Sequence, residues 1–97
     1  MQPIGAALQL EQVLPNPFSI AATVRYQLPR SGRVRIGIYE PCRRLVRMLR
    51  DRLEPAGTGS VKWDGQTDAG RVAAAGVYLY RLDFGGEQRF ARIVRIQ

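Results

Sequence analysis

Ile20-Ala21-Ala22-Thr23-Val24-Arg25-Tyr26-Gln27-Leu28-Pro29-Arg30-Ser31-Gly32-Arg33-Val34-Arg35-Ile36-Gly37-Ile38-Tyr39 decides the fold class. Ile20, Ala22, Val24, Tyr26 and Leu28 fall on one side of an extended chain; Ala21, Thr23, Arg25 and Gln27 fall on the other. A period of two with one apolar and one polar side is that of a half-buried β-strand. Pro29-Arg30-Ser31-Gly32 interrupts it as a tight turn, with Gly32 suited to positive φ. The alternation then resumes, with Val34, Ile36 and Ile38 inward and Arg33, Arg35 and Tyr39 outward. Two alternating runs joined by a short turn predict an antiparallel hairpin.

The same reading extends outward in both directions. Leu8, Leu10 and Val13 suggest a short first strand, broken by Pro15 and Pro17. Neither proline can donate to a ladder, so this part is an edge or a crossover. Residues 60–64 form a short strand carrying the only tryptophan, Trp63, and residues 65–70 a polar loop. Residues 77–84 form a strong strand and Gly85-Gly86 a hairpin turn. Residues 87–96 form the last strand, with Phe90, Val94 and Ile96 as its apolar face and Arg92 among them near an edge. Residues 42–53 conflict with the rest: Cys42, Leu45, Val46, Leu49 and Leu53 recur at helical spacing. The total is about seven strands with turn signals every ~8 to 12 residues, the pattern of an all-β, immunoglobulin-like antiparallel β-sandwich.

A chain of 97 residues is one domain, read as a flexible linker over 1–7 and a sandwich over 8–97. The net charge is +7, and of the 15 basic residues only Lys62 is a lysine. Such a surface attracts anionic partners, but arginines scattered over many strands make nucleic acid an unlikely one. With no histidine there is no Ser-His or Cys-His pairing and no imidazole metal ligand. Cys42 is the only cysteine, so an intrachain disulfide and a multi-cysteine metal site are both excluded. It has basic neighbours, Arg43 and Arg44, but no base to act on it, and Glu40 and Glu54 are isolated in sequence. The expectation is a non-enzyme without a cofactor. The N-terminus lacks the pattern of a signal peptide, and the run over residues 72–80 is too short to cross a bilayer. The chain is therefore cytosolic, or its export signal belongs to a part upstream.

Several residue groups admit a functional reading. Asp64 and Asp68, in Asp64-Gly65-Gln66-Thr67-Asp68-Ala69-Gly70, could hold Ca²⁺, or could cap backbone N–H groups of a turn. Arg43, Arg44, Arg47 and Arg50, with Arg52, could grip lipopolysaccharide phosphates, an anionic glycan or an acidic receptor patch, or form a solvated face. Arg33 and Arg35 pair on the outward side of their strand. Trp63 reads as a core plug whose indole N–H is satisfied at the rim, and Tyr78 as packed with Tyr80 or as a sandwich-corner tyrosine. The last strand, or the segment up to Val13, could pair in trans with another subunit or a receptor.

Leu14-Pro15-Asn16-Pro17-Phe18 resembles the opening of the C-terminal sorting domains of type IX secretion substrates, relatives of the immunoglobulin-like domain of the flagellar hook-capping protein. The order is kept by Gly32-Arg33-Val34, Ile38-Tyr39-Glu40, Val61-Lys62-Trp63-Asp64-Gly65, Asp68-Ala69-Gly70-Arg71 and Gly76-Val77-Tyr78-Leu79-Tyr80, and by Ala91-Arg92-Ile93-Val94-Arg95-Ile96 just before Gln97. The likeness spans roughly residues 8 to 97. It implies a non-catalytic sorting and cell-surface attachment module of a secreted bacterial protein, found outside the cell or on its outer surface. Its partners would be the secretion machinery or a surface anchor. Arg92, Ile93, Val94, Arg95 and Ile96 would be read by the export machinery, while Phe18, Tyr26, Trp63, Gly76 and Tyr78 shape the sandwich. The alternative is a self-associating subunit of an extracellular fibre or sheath joined by β-strand exchange. The resemblance also implies a strand over 44–49, and that reading is preferred to the helix. Arg43 stands where the family has a glycine, and an arginine disfavours the positive-φ turn expected there.

Overall fold

The computed structural model describes residues 7–96. The expected linker over 1–7 lies outside them apart from Ala7. Seven strands run β1 (Gln9–Leu14), β2 (Ala22–Leu28), β3 (Gly32–Tyr39), β4 (Leu45–Glu54), β5 (Gly57–Trp63), β6 (Gly76–Phe84) and β7 (Glu87–Arg95). They form two antiparallel sheets, ordered β1-β2-β5 and β4-β3-β6-β7. The order is that of an immunoglobulin-like sandwich in which the fourth strand lies beside β3 instead of extending the β1-β2-β5 sheet. No helix among the described residues is long and apolar enough to cross a membrane.

The core is the pair of inward faces. Val24, Tyr26 and Leu28 of β2 and Val61 and Trp63 of β5 meet Val34, Ile36 and Ile38 of β3 and Tyr78, Tyr80, Leu82 and Phe84 of β6, all buried. The alternation in β2 and β3 is thus an alternation of burial. Ile20 departs from the expectation. It is 83% exposed and precedes β2, which begins at Ala22. Gly32 departs too, since it is not among the glycines of positive φ. It is demanded by space, because a Cβ there would stand 2.9 Å from Cε1 of Phe84.

Residues 45–54 are a strand, and its helix-like spacing has a specific cause. Against β3 the register slips twice, Ile36 facing Arg50 but Gly37 facing Met48, then Ile38 facing Arg47 but Tyr39 facing Leu45. Each slip is a β-bulge inserting one residue, Leu49 and then Val46. Both pack against the core. Two bulges three residues apart turn a period of two into a spacing that imitates a helix. The turn before β4 adopts positive φ at Arg43, 74°.

The apolar side of β7 is the reverse of the sequence reading. The turn sets Glu87 opposite Phe84, which fixes odd-numbered residues of β7 to the inward side, Ala91 opposite Tyr80 and Ile93 opposite Tyr78. Ile93 is fully buried, whereas Phe90 and Ile96 lie exposed on the outer face.

Candidate functional site

The residues that carry the family resemblance at the two ends of the chain meet in space. After β1 the chain turns through Pro15 and Pro17 and crosses from one sheet to the other. Asn16 Nδ2 donates to the carbonyl of Arg92 at 2.9 Å, and the Val94 N–H donates to Asn16 Oδ1 at 2.9 Å. The Phe18 N–H then donates to the Val94 carbonyl at 2.9 Å and the Ile96 N–H to the Phe18 carbonyl at 2.8 Å. A side-chain amide has the same donor and acceptor as a peptide, so Asn16 extends a parallel ladder that Phe18 completes against Arg95. The prolines, which have no N–H, occupy the positions where none is used.

This junction changes the standing of Arg92, Ile93, Val94, Arg95 and Ile96. Ile93 is core, and the outward backbone groups of Arg92, Val94 and Ile96 named above are already bonded within the chain. Arg95 points inward and packs on Gly65, where a Cβ would stand 2.8 Å from its Nε. That Nε is buried without a protein partner. Of the five, Arg92 and Ile96 present exposed side chains.

Beneath the junction lies an aromatic column. Phe18 and Trp63 have ring centroids 5.4 Å apart, and Trp63 meets Tyr78 edge-on at 5.1 Å. The Trp63 indole N–H donates to the Gln66 carbonyl at 2.8 Å. Tyr78 Oη donates to the Ala74 carbonyl at 2.5 Å, four residues upstream at the entry to β6, which is the tyrosine corner of immunoglobulin-like sandwiches. Gly76, between them, has φ 149° with open space where a Cβ would stand, so conformation and not room requires glycine. Burial, and then the Glu40 carboxylate, raise the Tyr78 pKa against the opposing charge of Arg95. Burial alone strongly raises that of Tyr80, whose Oη donates to the Ala22 carbonyl. These phenols are packing groups.

Asp64 and Asp68 cap backbone. Asp64 Oδ1 accepts from the Gln66 N–H at 3.0 Å and lies 3.6 Å from Arg47. Asp68 Oδ1 accepts from the Met48 N–H at 3.2 Å, and the Asp68 N–H donates to the Val46 carbonyl at 3.0 Å, so the loop covers the bulged edge of β4. Among the described residues no group of three or more metal-ligating side chains assembles.

The middle arginines disperse. Arg43 lies over the Phe90 ring at 5.9 Å on the outer face of the four-stranded sheet. Arg44 lines a cavity of ≈ 250 Å³ with Glu40, Val46 and Tyr78. Arg47 turns to Asp64 and the Thr67 carbonyl. Arg50 turns into the gap between the edges of β4 and β5, where it donates to Tyr26 Oη at 2.7 Å and to the Ser60 carbonyl at 3.1 Å. These four arginines, within eight residues, therefore point in different directions; Arg47 and Arg50 meet carboxylates of the chain itself, Asp64 and Glu54. Arg33 and Arg35 share Asp51, and Arg52 joins Arg50 on Glu54.

Tyr26 and Glu54 close that gap. Tyr26 Oη donates to Glu54 Oε1, and the ring lies over Gly59, its register partner on β5. Burial disfavours the Glu54 charge, but the hydrogen bonds from Tyr26 and Arg52 and the charges of Arg50 and Arg52 outweigh it and hold the carboxyl below its ordinary range. Burial, then the bond to Glu54, raise Tyr26 against the pull of Arg50. Sequence reasoning named Tyr26, Arg50 and Glu54 separately and quoted Asn16 within its motif; what it missed is the joining of the first three and the edge bonds of Asn16. The signal for Asn16 was its place between two prolines beside a strand that needed an edge partner.

No protein-family model and no curated protein matches the sequence. Among solved structures, the chain is similar to part of the dimeric latent PorU of Porphyromonas gingivalis, with 24% sequence identity and a TM-score of 0.72. The match covers 93% of this chain and 9% of the PorU chain, a likeness of fold.

Proposed function

We propose that this chain is a non-catalytic sorting and surface-attachment module of a secreted bacterial protein, acting outside the cell or on its outer surface, with the secretion machinery or a surface anchor as partner. The observation that carries the reading is the junction of Asn16 and Phe18 with Arg92, Val94 and Ile96. It joins the opening and closing motifs of the sorting-domain resemblance into one hydrogen-bonded edge. Such an edge suits an address that must be presented in one shape. The fold likeness to part of PorU, a type IX secretion sortase, is consistent with a secretion-related setting. The titratable groups with shifted pKa values hold loops and sheet edges together, a structural use that favours a non-enzyme.

A reporter carrying its own signal peptide and ending in this chain, expressed in a bacterium that has type IX secretion, tests the reading. The fusion is expected on the cell surface, and Arg92→Glu with Ile96→Asp, both at exposed positions, is expected to leave a folded fusion in the periplasm. Equal surface display without the module, or periplasmic retention with the unaltered one, would refute the proposal. Truncating the last residues is a poorer test, because it removes Ile93 from the core. The fibre-subunit reading by exchange of β7 has less support, since the edge it would offer is bonded to Asn16 and Phe18.

A further inference from the structure

The two outer faces of the sandwich differ in kind. The β1-β2-β5 sheet turns Thr23, Arg25 and Gln27 of β2 and Thr58, Ser60 and Lys62 of β5 to solvent, an ordinary wet surface. The β4-β3-β6-β7 sheet carries a different set at the end nearest the β3–β4 turn. Leu45, Val77, Phe90 and Ile96, half of the large apolar side chains that stand exposed among the described residues, lie there. The register brings the first three together, with Ile96 just beyond the end of β7: Leu45 faces Tyr39, Tyr39 faces Leu79, Val77 faces Val94, and Phe90 faces Arg81, which faces Gly37. Tyr39 and Leu45 lie down over Gly37, where a Cβ would stand 3.0 Å and 3.2 Å from them.

The charges on this patch that have no ion pair among the described residues are positive. Arg81 lies over the Tyr39 ring at 5.2 Å and Arg43 over Phe90 at 5.9 Å, and Arg92 sits beside Leu79. Arg43 and Arg92 make no ion pair among the described residues; Arg81 pairs with Asp83 at 3.1 Å, and with Asp83 and Asp51 the sheet face becomes polar. A guanidinium placed over an aromatic ring can still donate to a carboxylate, and Arg43 and Arg92, without ion pairs among the described residues, have donors to offer.

We propose that this outer face, centred on Leu79 and Phe90, is a docking surface for a partner protein that presents aliphatic side chains ringed by carboxylates. Charge complementarity selects that occupant. A second copy would bring +7 against +7 with Arg43 and Arg92 in the contact. A bilayer site needs an apolar face buried about 5–10 Å into the headgroup boundary with its charges on the opposite face, and here Arg43, Arg81 and Arg92 lie among the apolar side chains. The inference stands whether or not the module is a secretion address.

A display library of protein fragments encoded by the chain's own genome, selected on the immobilised full chain, tests it. Enriched fragments are expected to combine acidic and aliphatic residues. They are expected to lose about tenfold or more in affinity for Leu79→Asp, and for Arg43→Glu with Arg92→Glu, while binding Arg25→Glu with Lys62→Glu on the opposite sheet as well as the original. Trp63 emission reports whether each variant is folded, and Phe90→Ser replaces Leu79→Asp if the latter is not. The proposal is overturned if no fragment is enriched, or if enriched fragments bind the patch variants undiminished. It is equally overturned if the patch variants abolish self-association in sedimentation velocity, or abolish pelleting with phosphatidylglycerol vesicles; the first outcome assigns the face to a second copy and the other to lipid.

Discussion

Gly59→Ala should destabilise the sandwich, and the sign of the effect rests on one side chain. Gly59 is not among the residues of positive φ, so alanine fits its backbone. In a strand interior that exchange ordinarily gains about 0.5–1 kcal/mol. Here a Cβ would stand 2.5 Å from both Cζ and Oη of Tyr26. The ring is fully buried, and its hydroxyl is held by Glu54 and Arg50, so it has no cheap way to withdraw. Forcing a methyl into such a site costs about 1–3 kcal/mol. Swinging the ring away instead gives up hydrogen bonds to charged groups, at about 1.5–3 kcal/mol each. The net expectation is a loss of roughly 1–3 kcal/mol, or about 4–8 °C in Tm for each kcal/mol in a domain of this size. Urea unfolding followed by Trp63 emission measures it. Tyr26→Leu supplies the control, since without the phenol the same Gly59→Ala change should be neutral or stabilising. A stabilising Gly59→Ala in the unaltered chain, or a loss of equal size in the Tyr26→Leu background, would refute the reasoning.

Glu54 has its pKa lowered in the folded state from the ordinary 4.5. Its contribution is therefore present in full above about pH 4.5 and is lost as pH falls through the lower folded value. Denaturation midpoints taken from pH 6 downward should fall less steeply below about pH 4.5 in Glu54→Gln, and an unchanged acid profile would count against the network. Asn16→Ala should cost about 1–2 kcal/mol through two lost edge bonds and should speed amide exchange at Val94 selectively. Uniform acceleration across β7, or none, would contradict the ladder described here.

Much of the fold was legible in the chain because its causes are local. Period-two burial in β2 and β3 follows from residues two apart, and the tyrosine corner spans Ala74 to Tyr78. Even the face of β7, read the wrong way from its apolar residues, was recoverable. Gly85-Gly86 as a two-residue turn sets Glu87 against Phe84 and so decides which side Ile93 takes. The spacing of Val46 and Leu49 was misleading because a β-bulge breaks alternation without announcing itself, and only the partner strand reveals the extra residue.

The sequence by itself determined the two-layer, strand-built architecture, most of the turns and the inventory of groups, while β5 begins at Gly57 and not at the expected residue 60; backbone preferences and side-chain periodicity act over a few residues. Tertiary structure alone decided which edges meet. Asn16 reaches Arg92 and Val94 across 76 and 78 residues, Arg50 leaves its neighbouring arginines for Tyr26, and the exposed apolar face gathers from four strands. The physical reason is that these contacts follow from how two sheets close over a shared core. That closure balances loop entropy against buried area over the whole chain, and no window of neighbouring residues contains it.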